Sequence, residues 1–386
     1  MQRTALIGNI VLPDRVWEGG AVIIEGERIM GVLSSDMIRA AGESEVLDYR
    51  HHFVSPGLID IHLHGAMGKD VMDGSAAGLI EIAAHQARCG VTGFVPTTLA
   101  APLPAILRAV ECVKAALTDR TGAEILGVYL EAPFLSVKKK GAQNPDFIRP
   151  IQDADVRLLA AAVQSLPAIV TVAPEVGANL SFIPAFKERG WVVSIGHSEA
   201  PYELAIRSFE QGITQATHLY NAMSGFLPRE PGVIGAVLDS DGVTAELIAD
   251  GIHVHPAALR LAIRQKGVDR ICLITDSMNA SGLGDGNFQV GGLDVAVKEG
   301  QARLKDGGAL AGSVLTLNRA VRNIVEWTGL PVPRAVRMAS LTPARVLGLD
   351  REIGSLEGGK LANLAVFDRD FNVITTILRG RSCISL

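Results

Sequence analysis

Six side chains stand at the ends of short apolar runs, and their types could do chemistry together. His62 and His64 close the run Ile59-Asp60-Ile61-His62-Leu63-His64. Two apart on an extended chain, they point to the same side, so both imidazoles can meet one ion. Glu131 follows Gly127-Val128-Tyr129-Leu130 and precedes Ala132-Pro133, where a strand must stop. A carboxylate buried there has to be paired or metal-bound. His197 ends Ser194-Ile195-Gly196, His218 ends Ala216-Thr217, and Asp276 follows Leu273-Ile274-Thr275. Singly, each has an ordinary reading, either a hydrogen-bonded core histidine or an acid paired with an arginine. Repeated at strand end after strand end, imidazole and carboxylate without cysteine point to a catalytic centre for Zn2+ or another divalent first-row ion.

The elements that must position them repeat with similar regularity. Eight short apolar segments (57–62, 92–96, 125–130, 169–172, 192–195, 215–218, 244–249 and 270–275) read as strands. Most precede an amphipathic run, as at 77–89, 103–117, 155–166, 202–210 and 256–265. Near-continuous Val, Ile and Leu imply parallel strands covered on both faces. Eight repeats favour a TIM-like (β/α)8 barrel over a doubly wound sheet, and barrel strands aim their carboxyl ends at one mouth. The segments 4–12, 21–24 and 29–33 read as β-hairpins, as do 361–367 and 373–378 near the other end. Neither set buries a sheet face alone. The expected organisation is a barrel over residues 55–345, with one small discontinuous β-sandwich domain built from 1–54 and 346–386.

Composition removes whole classes of function. Of 386 residues, 48% are hydrophobic and 20% charged, which excludes global disorder. Thirty-six basic against 41 acidic residues give a net charge of −5. The only basic block is Lys138-Lys139-Lys140, read as a solvated loop or active-site flap, so no nucleic-acid footprint is present. Four cysteines, none in a CxxC pair, suit reduced thiols and build no disulfide or zinc-ribbon framework. The mean hydropathy of +0.27 raises the question of a membrane. The longest stretch free of Asp, Glu, Lys and Arg, 89–107, is broken by Gly90, Gly93, Pro96, Pro102 and Pro104, so no span is expected. The first residues lack a signal peptide's apolar core, and a cytoplasmic protein is expected.

Taken together, the motifs resemble the amidohydrolase superfamily and, within it, the N-acetylglucosamine-6-phosphate deacetylases. They are SPGLIDIHLHG (55–65), VPTT (95–98), LEAPF (130–134), KKGAQNP (139–145), GHS (196–198), THLYNAM (217–223), REPG (229–232), ADGIHVHP (249–256), TDSM (275–278), LAGS (310–313) and the tail at 341–368. The resemblance covers nearly the whole chain. It implies hydrolysis of the acetamido group of a hexosamine 6-phosphate, giving the amine and acetate. It makes Glu131, His197 and His218 the principal metal ligands and His62 and His64 a second metal position, with one or two ions and Glu131 bridging. Asp276 matches the catalytic acid/base. Arg229, His253 and Asn221-Ala222 would line the sugar-phosphate site, with Asp250, Gly251 and Ile252 beside His253. Ala142 and Leu310-Ala311-Gly312 would contact substrate. In the family, the Arg229 and His253 equivalents come from a neighbouring subunit, which implies a homodimer. The family usually has histidine where this chain has Gln143, facing the substrate carbonyl. A glutamine can donate there but carries no charge.

Neighbouring chemistries fit less well. Cyclic-amide hydrolases often place a carboxylated lysine on strand four, where this chain has Ile169–Glu175 without lysine. Deaminases carry an acid three residues after the strand-five histidine, and here Glu199 is one residue short. A galactosamine 6-phosphate deacetylase differs only in the 4-hydroxyl contact. A non-catalytic metal-binding scaffold barrel would have no use for Asp276 as a proton shuttle.

Overall fold

The computed structural model describes residues 3–41 and 44–383. Its centre is parallel β-structure. Six strands, Val128–Leu130, Ala168–Val172, Val192–Ile195, Ile213–Ala216, Thr244–Ile248 and Ile271–Ile274, pair in chain order, all parallel. A second parallel sheet joins Leu58–Leu63, Val91–Pro96 and Glu124–Ile125. Most of these strands are buried along their whole length, as their Val/Ile/Leu content requires. Backbone contacts link the two sheets at both seams. Thr97 bridges Tyr129 in parallel at one, and Leu63 bridges Ser277 at the other. There, the Asp276 N–H donates to the His62 carbonyl at 2.9 Å, and the His64 N–H to Ser277 at 2.8 Å.

Helices fill the connections. Ala76–Arg88 starts at Ser75, whose hydroxyl accepts from the Gly78 N–H, an ordinary N-cap. Leu317–Thr328 buries Leu317, Ala320, Val321 and Ile324, the i, i+3, i+4, i+7 stripe of a helix lying on a core. No helix of the described residues is long and apolar enough to cross a membrane.

Both ends of the chain meet in a seven-stranded mixed sheet. The order is Arg381–Ser382, Val373–Leu378, Leu364–Phe367, Ser44–Pro56, Arg3–Val11, Val16–Glu25, Arg28–Ser34. The expected sandwich is thus one continuous sheet. Alternate residues of six strands, among them Leu6, Val22, Ile29, Val54, Leu364 and Ile377, converge in one apolar cluster. The free edge of Arg28–Ser34 curls back, with the Ile29 N–H donating to Lys360 O at 2.9 Å. Register slips between Gly8 and Asn9, where a bulge brings the chain against its neighbour. A Cβ at Gly8 would lie 2.6 Å from Val54 Cγ2, so only glycine fits without displacement.

A three-stranded antiparallel sheet, Gly286–Val290, Leu293–Lys298 and Gln301–Leu304, was not foreseen and rises beside the strand ends. Its apolar face packs on Leu99 and Met278.

Candidate active site

Glu131 is the hub. Its Oε1 lies 3.1 Å from His197 Nε2, 3.0 Å from His218 Nε2 and 3.5 Å from His62 Nε2. Its Oε2 lies 3.3 Å from His64 Nε2. Asp276 Oδ1 stands 3.2 Å from His64 Nε2 and 3.6 Å from His62 Nε2. All six residues are buried. Among the described residues, two groups of three are placed to hold an ion: Glu131, His197 and His218, and His62, His64 and Asp276. Within each group the ligand atoms all lie within 4.8 Å of one another. The buried His62 Nε2 and His218 Nδ1 have no hydrogen-bond partner. A buried polar atom without a partner is costly, and a bound ion would satisfy His62 Nε2.

The imidazoles are oriented from behind. His64 Nδ1 donates to the Thr97 carbonyl at 3.1 Å, His197 Nδ1 to that of Lys139 at 2.8 Å, and His62 Nδ1 to Glu246 Oε2 at 2.9 Å. Each Nε2 is then aimed at the same centre, where giving up a proton frees it to bind an ion. Backbone strain concentrates here as well: φ is +46° at His197, +30° at His218, +51° at Ala222 and +49° at Asp276. Left-handed conformations cost a non-glycine residue roughly 1–2 kcal/mol each and cluster at sites whose surroundings over-determine them. The expected strand through His218 therefore stops at Ala216, and the chain turns so that the imidazole faces inward. Glu175 holds the turn after His197, accepting from Ser198 Oγ and from the Glu199 N–H, both at 2.8 Å.

Charge is matched inside the cluster. Burial pulls the His62 imidazole down, but Glu246 and Glu131 outweigh it and lift it to about 9. His64 is raised well above the ordinary value, Asp276 and Glu131 overcoming its burial. Burial raises the Asp276 carboxyl, yet His64 and His62 bring it down to about 2. Glu131, also buried, is held well below the usual carboxylate range by His62, His197, His218 and His64. Such a site exchanges bound protons for a cation.

A sequence model of the amidohydrolase family matches residues 53–383. The chain belongs to the amidohydrolase family. It is 39% identical to the N-acetylglucosamine-6-phosphate deacetylase of Bacillus subtilis, covering 96% of this chain and 94% of the relative. It is 40% identical to the N-acetylgalactosamine-6-phosphate deacetylase of Escherichia coli O157:H7, covering 84% and 86%. The crystal structure of N-acetylglucosamine-6-phosphate deacetylase from Pasteurella multocida superposes with a TM-score of 0.93, at 33% identity, over 98% of this chain and 99% of that one.

In this amidohydrolase a cavity of about 330 Å3 opens over the cluster. Of the expected substrate contacts, Ala142, Gln143, Asn221, Ala222, His253, Leu310 and Gly312 border it. Ala311 is fully buried behind the wall, and Asp250, Gly251 and Ile252 stand away from it. Asp250 instead fixes His253, accepting from its Nδ1 at 2.7 Å. His253 therefore borders the chain's own cavity, whereas it was expected to serve a neighbour's. Arg229 is exposed on a hairpin outside the cavity. Gln143 is buried with both ends of its amide engaged: Nε2 donates to Glu131 Oε2 at 2.6 Å, and Oε1 accepts from the Ala100 N–H at 2.7 Å. It thus braces Glu131 as well as facing the cavity. Gly312 has φ +62°, and a Cβ there would lie 2.9 Å from Asp276 O, so this loop can approach only as glycine.

Two features were missed from sequence. Leu99, Met278 and Val290 form an apolar wall, and Val290 arrives on the unforeseen sheet. The hairpin signal Val290-Gly291-Gly292-Leu293 was there to be read. Glu246 was also missed, although an acid inside the apolar run Thr244-Ala245-Glu246-Leu247-Ile248 is the kind of buried charge that demands a partner.

Proposed function

We propose that this amidohydrolase hydrolyses N-acetyl-D-glucosamine 6-phosphate to glucosamine 6-phosphate and acetate. The observation that carries the chemistry is the meeting of two ligand triads on Glu131, with Asp276 beside them, under one cavity. The curated relatives' names support the substrate. Glu131, His197 and His218 would hold one divalent ion and His62, His64 and Asp276 a second, and nitrogen and oxygen donors of this kind suit Zn2+. Such an ion lowers the pKa of water towards ~7 and polarises an amide carbonyl.

The chain's own residues do the rest. Asp276, aimed at the same centre, accepts a proton from the attacking water as its oxygen bonds to the acetyl carbon. It then passes that proton to the amide nitrogen, the C–N bond breaks, and a neutral amine leaves instead of an amide anion. Apolar Leu99, Met278 and Val290 exclude water from one side, and the acetyl methyl suits that wall. Asn221, Ala222, His253 and the Leu310–Gly312 loop would hold the sugar. Arg229 would reach the phosphate of a second copy's substrate, its planar fork donating two parallel bonds, so a homodimer is part of the reading. The two parallel sheets with their linked seams are read as one closed (β/α)8 barrel spanning 55–345, with the terminal segments as its second domain, in a cytoplasmic enzyme.

The galactosamine epimer is the second reading, favoured by the 40% identity to the Escherichia coli relative. Amine release from both N-acetylhexosamine 6-phosphates, with metal analysis on the same sample, separates the two. Metal-replete protein that releases no amine from either sugar phosphate would sink the proposal.

A further inference from the structure

Glu246 sits in the middle of a fully buried strand and has no exposed surface. Among the described residues its only ion-pair partner is His62. Its carboxylate accepts from His62 Nδ1 at 2.9 Å, from the His218 backbone N–H at 3.1 Å and from Gln215 Nε2. One side chain therefore touches a member of each ligand triad without belonging to either.

The anchors of the other histidines provide the contrast. Among the histidines of the two triads, His64 and His197 lean on neutral backbone carbonyls, whereas only His62 leans on a carboxylate. That carboxylate accepts from Nδ1 and leaves Nε2, the atom without a hydrogen-bond partner, turned towards Glu131 and Asp276, where it can meet an ion. Burying a carboxylate in an apolar strand with no lysine or arginine beside it is expensive. A merely structural position would be served by valine or isoleucine. A cation on the far side of the His62 ring would offset the charge.

We infer that Glu246 is a positioning residue that, acting through His62, sets the affinity of the ion position formed by His62, His64 and Asp276. This rests on the two-ion reading above. Partners of this kind behind a ligating histidine are worth ~10–100-fold in metal affinity.

The test is metal titration of the full-length protein with Zn2+, with stoichiometry by elemental analysis and Co2+ substitution read by its visible absorption. Wild type should bind two ions. Glu246→Gln keeps an acceptor oxygen but removes the charge, and should keep the first ion while binding the second ~10–100-fold more weakly. His62→Gln should lose the second ion too, and the double variant should lose no more than His62→Gln alone. Two ions bound by Glu246→Gln with wild-type affinity would overturn the inference and leave the two-ion reading standing. A further loss in the double variant would also overturn it, because Glu246 would then act independently of His62. Wild type holding fewer than two ions would overturn the two-ion reading and this inference with it. If thermal unfolding shows that Glu246→Gln does not fold, Glu246→Asp carries the test: it retracts the carboxylate from Nδ1 and should weaken the second ion at least ~10-fold. Unchanged affinity there is the overturning result.

Discussion

Asp276→Asn tests proton transfer at the site, with the ligand role of Asp276 at the second ion read separately as metal content. Asparagine has the shape of aspartate and tolerates the left-handed backbone, φ +49°, that position 276 adopts. Alanine would add roughly 1–2 kcal/mol of strain and blur the comparison. The backbone bonds are untouched: the 276 N–H still donates to His62 O at 2.9 Å, and its carbonyl still accepts from the Ser313 N–H at 2.7 Å. What goes is the ability to accept a proton beside His64 and His62. General acid–base catalysis is worth about 10²–10⁴-fold, or about 2.7–5.5 kcal/mol of barrier. Because one carboxylate serves both proton steps, kcat should fall by ~10³-fold or more, with KM changed little. The assay is amine release from N-acetylglucosamine 6-phosphate at saturating Zn2+, with metal content measured on the same sample. A kcat within tenfold of wild type at full metal content would refute the shuttle. Activity lost only in proportion to lost metal would leave Asp276 its ligand role alone.

Three further outcomes are expected. Arg229→Ala should raise KM for phosphorylated sugar by about 10-fold or more, the worth of a charge-assisted bidentate pair, and leave unphosphorylated sugar unaffected; equal effects on both would contradict the anchor. Gln143→Ala leaves the buried Ala100 N–H without an acceptor and takes one donor from Glu131, so urea unfolding should show a loss of about 1–3 kcal/mol; unchanged stability would mean the brace is dispensable. Burial lowers Lys266 from 10.5 to about 8, against a smaller opposing pull from Asp241. The unfolded chain binds the extra proton between those values, so stability should rise with pH from about 8 towards 10.5. Lys266→Met should flatten that rise in unfolding curves at pH 7.5 and 9.5, and an identical rise in the variant would place its origin elsewhere.

The strand ends were legible because a site at the carboxyl ends of parallel strands writes polar residues onto apolar runs. His62, His64 and Asp276 gather in one group and Glu131, His197 and His218 in another, each with its ligand atoms within 4.8 Å of one another. The strand Ser44–Pro56 was illegible for the opposite reason. Glu45, Asp48, Arg50 and His51 face solvent along its first half, so it shows no apolar run. Glu246 gives no strand-end signal, because it lies in the middle of its strand and not at the end. Arg229 shows the limit of motif reading, since REPG marks a residue that lies outside the chain's own cavity.

The seven-stranded sheet also dictates an order of events during synthesis. Ser44–Pro56 ends one residue before the strand bearing His62, and its outer partner is Leu364–Phe367. About 300 residues must be made between them, some 15–60 s at ribosomal speed. Throughout that interval the chain carries an unpaired edge beside the strand bearing His62, where aggregation and mispairing begin. The strand that leads into the site therefore gains its second partner only when Leu364–Phe367 emerges, whereas the strand bearing His62 finds its own partner, Val91–Pro96, early.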